Sequence, residues 1–240
     1  MPNPTAAMLV IGDEILSGRT RDANMYYLAG ELAKVGIDLK EVRVVSDDAP
    51  AIVKAARELS ATYDNVFSSG GIGPTHDDIT ADCMAEAFGQ TIDVREDARQ
   101  LLADMYERTG RELNEARLRM ARIPAEAALI DNTVSTAPGF TIENVHVMAG
   151  VPSVFQAMVA SVLPTLTGGS PLLSQSLTIM RGEGDIAGPL RQLAEDFPEL
   201  SIGSYPFQRD GVFGAQIVIR GTEGVQVDAA ILRLGRMFQE

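Results

Sequence analysis

A glycine-rich stretch at 69–80, with the sequence SGGIGPTHDDIT, constrains this 240-residue chain more than any other segment. It follows the apolar pair Val66 and Phe67, which is typical of the end of a buried strand, and apolar residues at helical spacing come after it. Glycines let the backbone approach a ligand closely, and free N–H groups at the beginning of a helix attract anions. The stretch therefore predicts a phosphate site between a strand and a helix.

Two adjacent carboxylates in this stretch, Asp77 and Asp78, indicate that a cation accompanies the phosphate. Negative charges beside a phosphate repel it unless a cation lies between them, so we expect a divalent metal such as Mg²⁺, and catalysis with it. A structural alternative stays open, because acids favour the first turn of a helix and Thr75 with Asp78 matches a variant capping box. No lysine follows the glycines, so the stretch is not a P-loop.

The composition narrows the class of partner. The formal net charge is -13, which argues against nucleic acid and against anionic membrane surfaces, since both bind a basic face. No apolar segment approaches the ~20 residues of a membrane span, so we expect a cytoplasmic protein. The only cysteine, Cys83, excludes an intrachain disulfide, and with two histidines it disfavours a Cys/His metal site. The negative charge does not exclude a nucleotide as the small-molecule ligand, because a local cluster and a metal can reverse the sign of the charge at one site.

Strands and helices alternate through the first two thirds of the chain, which predicts βαβ units and a mostly parallel sheet with helices on both faces. In such sheets ligands bind beyond the carboxyl ends of the strands, where the glycine-rich stretch would lie. The predicted strands are 6–11, 37–45, 65–67, 129–130 and 145–148, and the predicted helices are 24–35, 51–59, the segment after Ile79, 96–109, 112–122 and 154–163.

A Gly/Ser/Pro segment at 166–171 reads as a linker and divides the chain into domains at 1–167 and 171–240. The shorter domain shows a mixed pattern that is typical of a small α+β fold. Its predicted strands are 177–180, 200–202 and 212–219, and its predicted helices are 187–197 and 227–238.

Further acids follow the first two predicted strands. Asp13 and Glu14 follow one, and Asp47 follows the other, so these carboxylates should converge with Asp77 and Asp78 at one edge of the sheet. Carboxylates suit a hard divalent ion. For each acid taken alone, a solvated or capping role is expected over a ligand role. Asp22 could equally cap a helix or bind a ligand, and Asp48 could cap the next helix.

Three arginines and two histidines are weaker candidates. Arg119 and Arg122 would share a helix face near Arg117 and could contact an acidic ligand, although pairing with nearby carboxylates is the expected role. His76 borders the aspartates and could transfer protons or simply be exposed, whereas His146 lies in a predicted strand and is expected to be structural.

The sequence GGIGPTHDDIT at 70–80 closely resembles the molybdopterin-binding (MoaB/Mog-like) domain as it occurs in the CinA family. The resemblance runs through about residues 5–165. It also includes IGDEILSG at 11–18, Asp22, Asn24 and Asp47, APGF at 137–140 and AGVP at 149–152. Residues 170–240 resemble the small middle domain of CinA proteins, with SYP at 204–206 as a weaker match.

This resemblance implies a three-layer α/β/α domain, a small C-terminal α+β domain and a homo-oligomer, either a dimer or a trimer. In the Mog branch an adenylyl group passes from Mg-ATP to molybdopterin. The CinA branch resembles a divalent-metal-dependent nucleotide pyrophosphatase that cleaves ADP-ribose. By resemblance Asp47 and Asp78 would be catalytic and would hold the metal. The substrate-binding residues carried over are Gly12, Asp13, Glu14, Asn24, Ser69, Gly70, Gly71, Gly73, Pro74, Thr75, Asp77, Pro138, Gly139 and Pro152.

Two positions depart from the usual CinA pattern: Ala149 stands where a proline is common, and Val154 where a glutamate is common. Three hypotheses follow. The chain is a metal-dependent pyrophosphatase for ADP-ribose or a similar dinucleotide, or it binds or adenylylates molybdopterin, or it is a non-catalytic nucleotide-binding regulatory module. CinA proteins often continue into a nicotinamide-nucleotide deamidase domain after the region matched here, so we expect that activity to be absent.

Overall fold

The computed structural model describes residues 2–209 and 211–238, which form two compact units. The first unit ends at Gly169 and the second begins at Ser170, so the boundary lies within the segment 166–171. Each unit has its own apolar core. In the described part of the chain, no helix has the length and apolar character needed to cross a membrane.

A six-stranded sheet forms the centre of the first unit, with the strand order β2-β1-β3-β8-β7-β6. The first four strands in this order are parallel, and β7 runs antiparallel to both of its neighbours. The elements are β1 (Thr5–Ile11), α1 (Asp13–Leu16), α2 (Asn24–Lys34), β2 (Asp38–Val45), α3 (Ala49–Thr62), β3 (Asn65–Ser69), α4 (Thr80–Ala87), β4 (Ile92–Val94), α5 (Glu96–Arg108), α6 (Glu115–Leu118), β5 (Arg122–Pro124), β6 (Ala128–Ile130), β7 (Gly139–Ile142), β8 (Val145–Met148) and α7 (Pro152–Val162).

Both faces of this sheet are buried, as the continuous apolar run of β1 predicts. Leu9 of β1 belongs to a core with α3, α4 and α5, whereas Met8 belongs to a second core with α2 and α7. Alternate residues of a strand point to opposite faces, so one strand supplies both cores. Cys83 of α4 is buried in the first core, and burial raises the pKa of its thiol to about 11, so this residue packs as a small apolar side chain.

The segment that precedes β6 corrects one prediction. The predicted helix at 112–122 is limited to the four residues of α6 and a 3-10 turn at Arg119–Ala121, and Arg122 begins strand β5. This strand pairs with β4, and that pairing, together with Pro124, ends the helix early. Arg119 and Arg122 therefore do not share a helix face. The strands β4, β5 and β7 were missed because such short segments, each interrupted by a polar residue, glycine or proline, carry little periodicity.

The second unit is a three-stranded antiparallel sheet, in the order β10-β11-β9, with two helices. Alternate side chains of the central strand, including Ile217, are buried against Leu193 and Leu234 of the helices. Its α+β class is as predicted, while the first two strands are longer than predicted. The elements are β9 (Leu173–Ile179), α8 (Glu183–Asp196), β10 (Ser201–Arg209), β11 (Val212–Gly221) and α9 (Gly224–Met237).

Candidate functional site

The carboxyl ends of the four parallel strands meet at one edge of the sheet. β1 pairs with β2 on one side and with β3 on the other, so the strand order reverses at β1. Such a reversal opens a crevice in which open α/β sheets bind ligands. Two backbone hydrogen bonds tie the strand ends together: the Gly12 N–H donates to Val45 O over 3.1 Å, and the Gly70 N–H donates to Met148 O over 3.1 Å.

Glycine is required at the beginning of the loop that follows β3. Gly70 has φ +110°, and a Cβ there would lie 2.2 Å from Ile11 O; Gly71 has φ +70°, and its Cβ would lie 2.1 Å from Thr80 Oγ1. The buried Thr80 closes the loop, since its Oγ1 donates to Gly70 O over 3.0 Å and its N–H donates to Gly71 O over 3.0 Å. The 70–79 loop is therefore held rigidly against β1 and α4.

Thr75 and Asp78 form a turn of their own within this loop. One carboxylate oxygen of Asp78 accepts hydrogen bonds from the backbone N–H, over 2.8 Å, and from the hydroxyl of Thr75. A Cβ on Gly73 would lie 2.6 Å from the same oxygen, so the Asp78 carboxylate rests against the loop backbone. The proposed cap at Thr75 is wrong, because α4 begins only at Thr80. Asp78 is thus not in the first turn of a helix.

An open cleft of about 610 Å³ lies above these strand ends, a size in the range of ligand sites. Four carboxylates face it, and within the described residues its wall has no lysine, arginine or histidine. We call it the acidic cleft. Of the predicted site residues, Gly12, Glu14, Asp47, Gly70, Gly71, Gly73, Pro74, Asp77, Asp78, Pro138 and Pro152 lie on its wall, and Asp13, Asn24, Ser69, Thr75 and Gly139 do not.

The electrostatics of the acidic cleft are clearest at Asp47. Partial burial raises the pKa of the Asp47 carboxyl, and the nearby carboxylates of Asp13, Glu14 and Asp77 raise it further. The Asp13 backbone N–H, which donates to Asp47 Oδ2 over 2.9 Å, acts in the opposite direction. Together these effects disfavour the charged form of Asp47, and a bound cation would stabilise that charged form.

The donor chemistry of the acidic cleft fits a hard divalent cation. Every charged side chain on its wall is a carboxylate, the ligand type that Mg²⁺ prefers. In the described residues, no group of three or more His, Cys, Asp or Glu side chains is already arranged to hold a metal. Mg²⁺ is commonly bound by one or two carboxylates together with substrate phosphates, so Asp47 and Asp78 could hold it when a phosphate is present.

Asn24 and Gly139 were predicted for the site but do not line the cleft. Both lie beside the ends of strands that lead to its wall. Asn24 is buried, and its Nδ2 donates to Ser69 Oγ and to Gly150 O, each over 2.8 Å, which joins α2 to two strand ends. Gly139 begins β7, and a Cβ there would lie 2.4 Å from Val147 O. Substrate contact by these residues stays a prediction.

The part of the cleft wall that precedes Pro138 was not predicted from the sequence. Ser135 and Ala137 face the cleft, and the buried side chain of Asn132 fixes their segment. Asn132 Oδ1 accepts from the N–H groups of Val134 and Ser135, and its Nδ2 donates to Ser135 Oγ and Ala137 O. Thr136 has φ +64°, a left-handed conformation rare for a β-branched residue. An Asn followed by small polar residues was the available signal.

The arginines and histidines that were weaker candidates have different contacts and different burial in the structure. Arg122 forms an ion pair with Asp82, which confirms the expected pairing. Arg119 instead donates to Asp78 O over 3.3 Å, so it contacts the loop rather than a carboxylate. The His76 side chain is 99% exposed. His146 is buried, and desolvation lowers its pKa to about 4, which confirms a structural role.

Comparison with known families identifies the first unit. A family model described as "probable molybdopterin binding domain" matches residues 7–168. The chain belongs to this family. A second model, described as "FAD synthase, middle domain", matches residues 171–240. The predicted resemblance and fold class of the molybdopterin-binding domain are therefore confirmed.

Individual relatives agree with this assignment. A protein of Pyrobaculum calidifontis is 32% identical, over 96% of this chain and 86% of its own length. A Caenorhabditis elegans protein named probable FAD synthase is 32% identical over 98% of this chain, which spans only 50% of that relative. Among solved structures, CinA of Thermoplasma acidophilum, described as of unknown function, is 34% identical with a TM-score of 0.62, covering 69% of this chain and 99% of CinA.

Proposed function

We propose that the chain binds a nucleotide pyrophosphate in the acidic cleft and hydrolyses it with a divalent metal, with ADP-ribose or a similar dinucleotide as substrate. The observation that carries this proposal is the coincidence of two features on one wall. The glycine loop at 70–73 offers close backbone approach, and four carboxylates lie beside it. The backbone of such a glycine loop can bind a phosphate. The four carboxylates would repel that phosphate unless a cation lay between them.

Each part of the cleft then has a chemical task. Backbone N–H groups of the glycine loop bind and orient the phosphate at which the substrate is cleaved. Asp47 and Asp78 would hold the metal, which would supply polarisation of the phosphoryl oxygen and a water of lowered pKa. Thr75 keeps the Asp78 carboxylate in place through its two hydrogen bonds. The relative named probable FAD synthase supports a nucleotide rather than another phosphate ester.

The test is release of AMP from ADP-ribose in the presence of Mg²⁺, Mn²⁺ or Co²⁺. We expect metal-dependent release by the wild type and a loss of at least ~100-fold in Asp78→Ala, comparable with the removal of one strong electrostatic contact. Asp185→Ala, an exposed acid of α8, is the matched control and should keep full activity. An inactive wild type would reject the pyrophosphatase, and full activity in Asp78→Ala would reject the assigned residues.

Molybdopterin binding or adenylylation is the second candidate, because the family model that matches 7–168 is described by that ligand. The acidic cleft is large enough for a pterin beside a phosphate. Calorimetry with molybdopterin and with Mg-ATP tests it. Heat with both ligands would favour this function, and no heat with either would reject it.

Binding without turnover is the third candidate, and two wall residues favour it. Ala149 and Val154 both face the acidic cleft, and Val154 is buried, so this part of the wall supplies no carboxylate. In the assay above, nucleotide binding without AMP release would support a regulatory module. Robust turnover would reject it.

A further inference from the structure

A second cavity, of about 590 Å³, adjoins the acidic cleft. It lies between the end of α5 and the segment fixed by Asn132, and it carries Arg108 and Arg111 but no carboxylate among the described residues. We call it the basic cavity. The two cavities share the wall residues Pro74, Met120, Ser135 and Ala137.

The two arginines of the basic cavity are not used in ion pairs. Elsewhere in the same unit, Arg43, Arg99 and Arg122 each contact a carboxylate. Arg108 donates from Nε to the Asp104 backbone carbonyl over 3.2 Å, and across residues 2–209 and 211–238 neither it nor Arg111 pairs with an acid. The guanidinium fork matches the oxygens of a phosphate. Both side chains are therefore available to an anionic ligand.

The remainder of the basic cavity is largely apolar. Met105 and Met120 line it, and Val134 stands 56% exposed at its edge. Because Asn132 fixes the backbone on either side, Val134 is presented in a defined position. An inorganic anion would use only the arginines, whereas a phosphate ester would use the arginines and this surface together.

We propose that the basic cavity is the second subsite of the nucleotide site. This inference rests on the proposed function and deepens it. The nucleoside and its first phosphate lie in the acidic cleft, the second phosphate lies against Arg108 and Arg111, and the organic group esterified to it packs against Met105 and Val134. The substrate class is then an ester of a nucleoside diphosphate, and the shared wall spans the pyrophosphate.

The test is a series of calorimetric titrations with Mg²⁺ and three ligands of increasing length: AMP, α,β-methylene-ADP and α,β-methylene-ADP-ribose, of which the last two resist cleavage. We expect Arg108→Gln and Arg111→Gln, each alone, to weaken the two longer ligands by at least ~10-fold more than AMP, the loss of one charged hydrogen bond. Val134→Ser should weaken only the longest ligand, by about threefold. Arg99→Gln, an α5 arginine outside both cavities, is the matched control.

The outcomes separate the subsite from the proposed function. If none of the three ligands binds the wild type, both fail. If AMP binds and the longer ligands bind no tighter, the acidic cleft stands and the subsite is rejected. If Arg99→Gln weakens the longer ligands as much as Arg108→Gln does, the effect is general electrostatics and the subsite is also rejected. Selective loss in Arg108→Gln and Arg111→Gln supports it.

Discussion

The acidic cleft and the basic cavity are nearly equal in size and opposite in charge. The first has four carboxylates and no cation on its wall, and the second has two arginines and no carboxylate, within the described residues. The chain has 33 acidic and 20 basic residues, so composition alone favours acids everywhere. A cavity free of acids beside one rich in them shows that the net charge of the chain does not describe the charge of each cavity.

The two cavities also differ in how the chain builds them. The acidic cleft is formed by the ends of parallel strands, so the backbone topology brings its carboxylates together. The basic cavity depends on the end of α5 packing near one turn, which Asn132 fixes through side-chain hydrogen bonds. Changes to the loop after β3 should therefore affect the acidic cleft first, and changes at Asn132 should affect both.

The largest effect is expected from Gly71→Ala. The new Cβ would lie 2.1 Å from Thr80 Oγ1 at φ +70°, so strain and overlap together should lower the free energy of unfolding by about 3 kcal/mol. The loop would leave its position against Thr80, and AMP binding should fall at least ~10-fold through loss of oriented N–H groups. Urea denaturation and calorimetry measure the two effects.

Gly89→Ala is the control for this variant. Gly89 has φ +65° but open space around its Cβ position, so only the backbone strain of about 1 kcal/mol applies. AMP affinity should not change. Equal losses of AMP affinity in both variants would mean that general destabilisation, rather than the loop, governs binding.

The sequence predicted the fold only in part. Buried strands such as β1 and β8 were identified from their continuous apolar runs, and amphipathic helices such as α2 from their helical periodicity. The strand β7 was not, because its first residue is Gly139, whose close packing against Val147 O appears only in the sheet. The predicted helix at 112–122 failed because pairing with β4 overrode local propensity.

The candidate site, like the fold, was predicted in part. Carboxylates shortly after strand ends, such as Glu14 and Asp47, and the loop that carries Asp78 could be assigned to one edge from topology alone. The turn at Thr75 and the wall fixed by Asn132 could not, because they depend on side-chain hydrogen bonds within irregular segments. The arginines of the basic cavity carry no local signal, since Arg108 ends an ordinary amphipathic helix with charged exposed positions and Arg111 lies in the segment after it.

Asn132→Ala should affect both cavities at once. Its four hydrogen bonds hold Val134, Ser135 and Ala137, so we expect about 2 kcal/mol less stability and weaker binding of both AMP and the ADP-ribose analogue. Asn144→Ala removes three comparable bonds to Ser60 and Tyr63, away from both cavities. If the two variants lose similar stability but only Asn132→Ala loses affinity, the shared wall is a binding element. Unchanged affinity in both would contradict this.

Asp47→Asn is expected to have the smallest effect. The informative result is whether it raises or lowers the free energy of unfolding. A carboxyl whose pKa is raised in the folded state opposes folding once pH exceeds that pKa, so replacing it should increase stability at pH 7. Asp47 is only partly buried, and solvent screening limits the gain to under about 1 kcal/mol. The gain should shrink as pH falls through the raised pKa of Asp47 and vanish below the ordinary pKa of an aspartate, where the carboxyl is protonated in both the folded and the unfolded state. Thermal unfolding at pH 7 and pH 4 measures this difference, and added Mg²⁺ with AMP should reverse the order at pH 7, because only the carboxylate binds the metal.

An Asp47→Asn variant that is less stable than the wild type without ligand would mean that the carboxylates of the acidic cleft stabilise the fold, and the contrast with the basic cavity would lose its functional meaning.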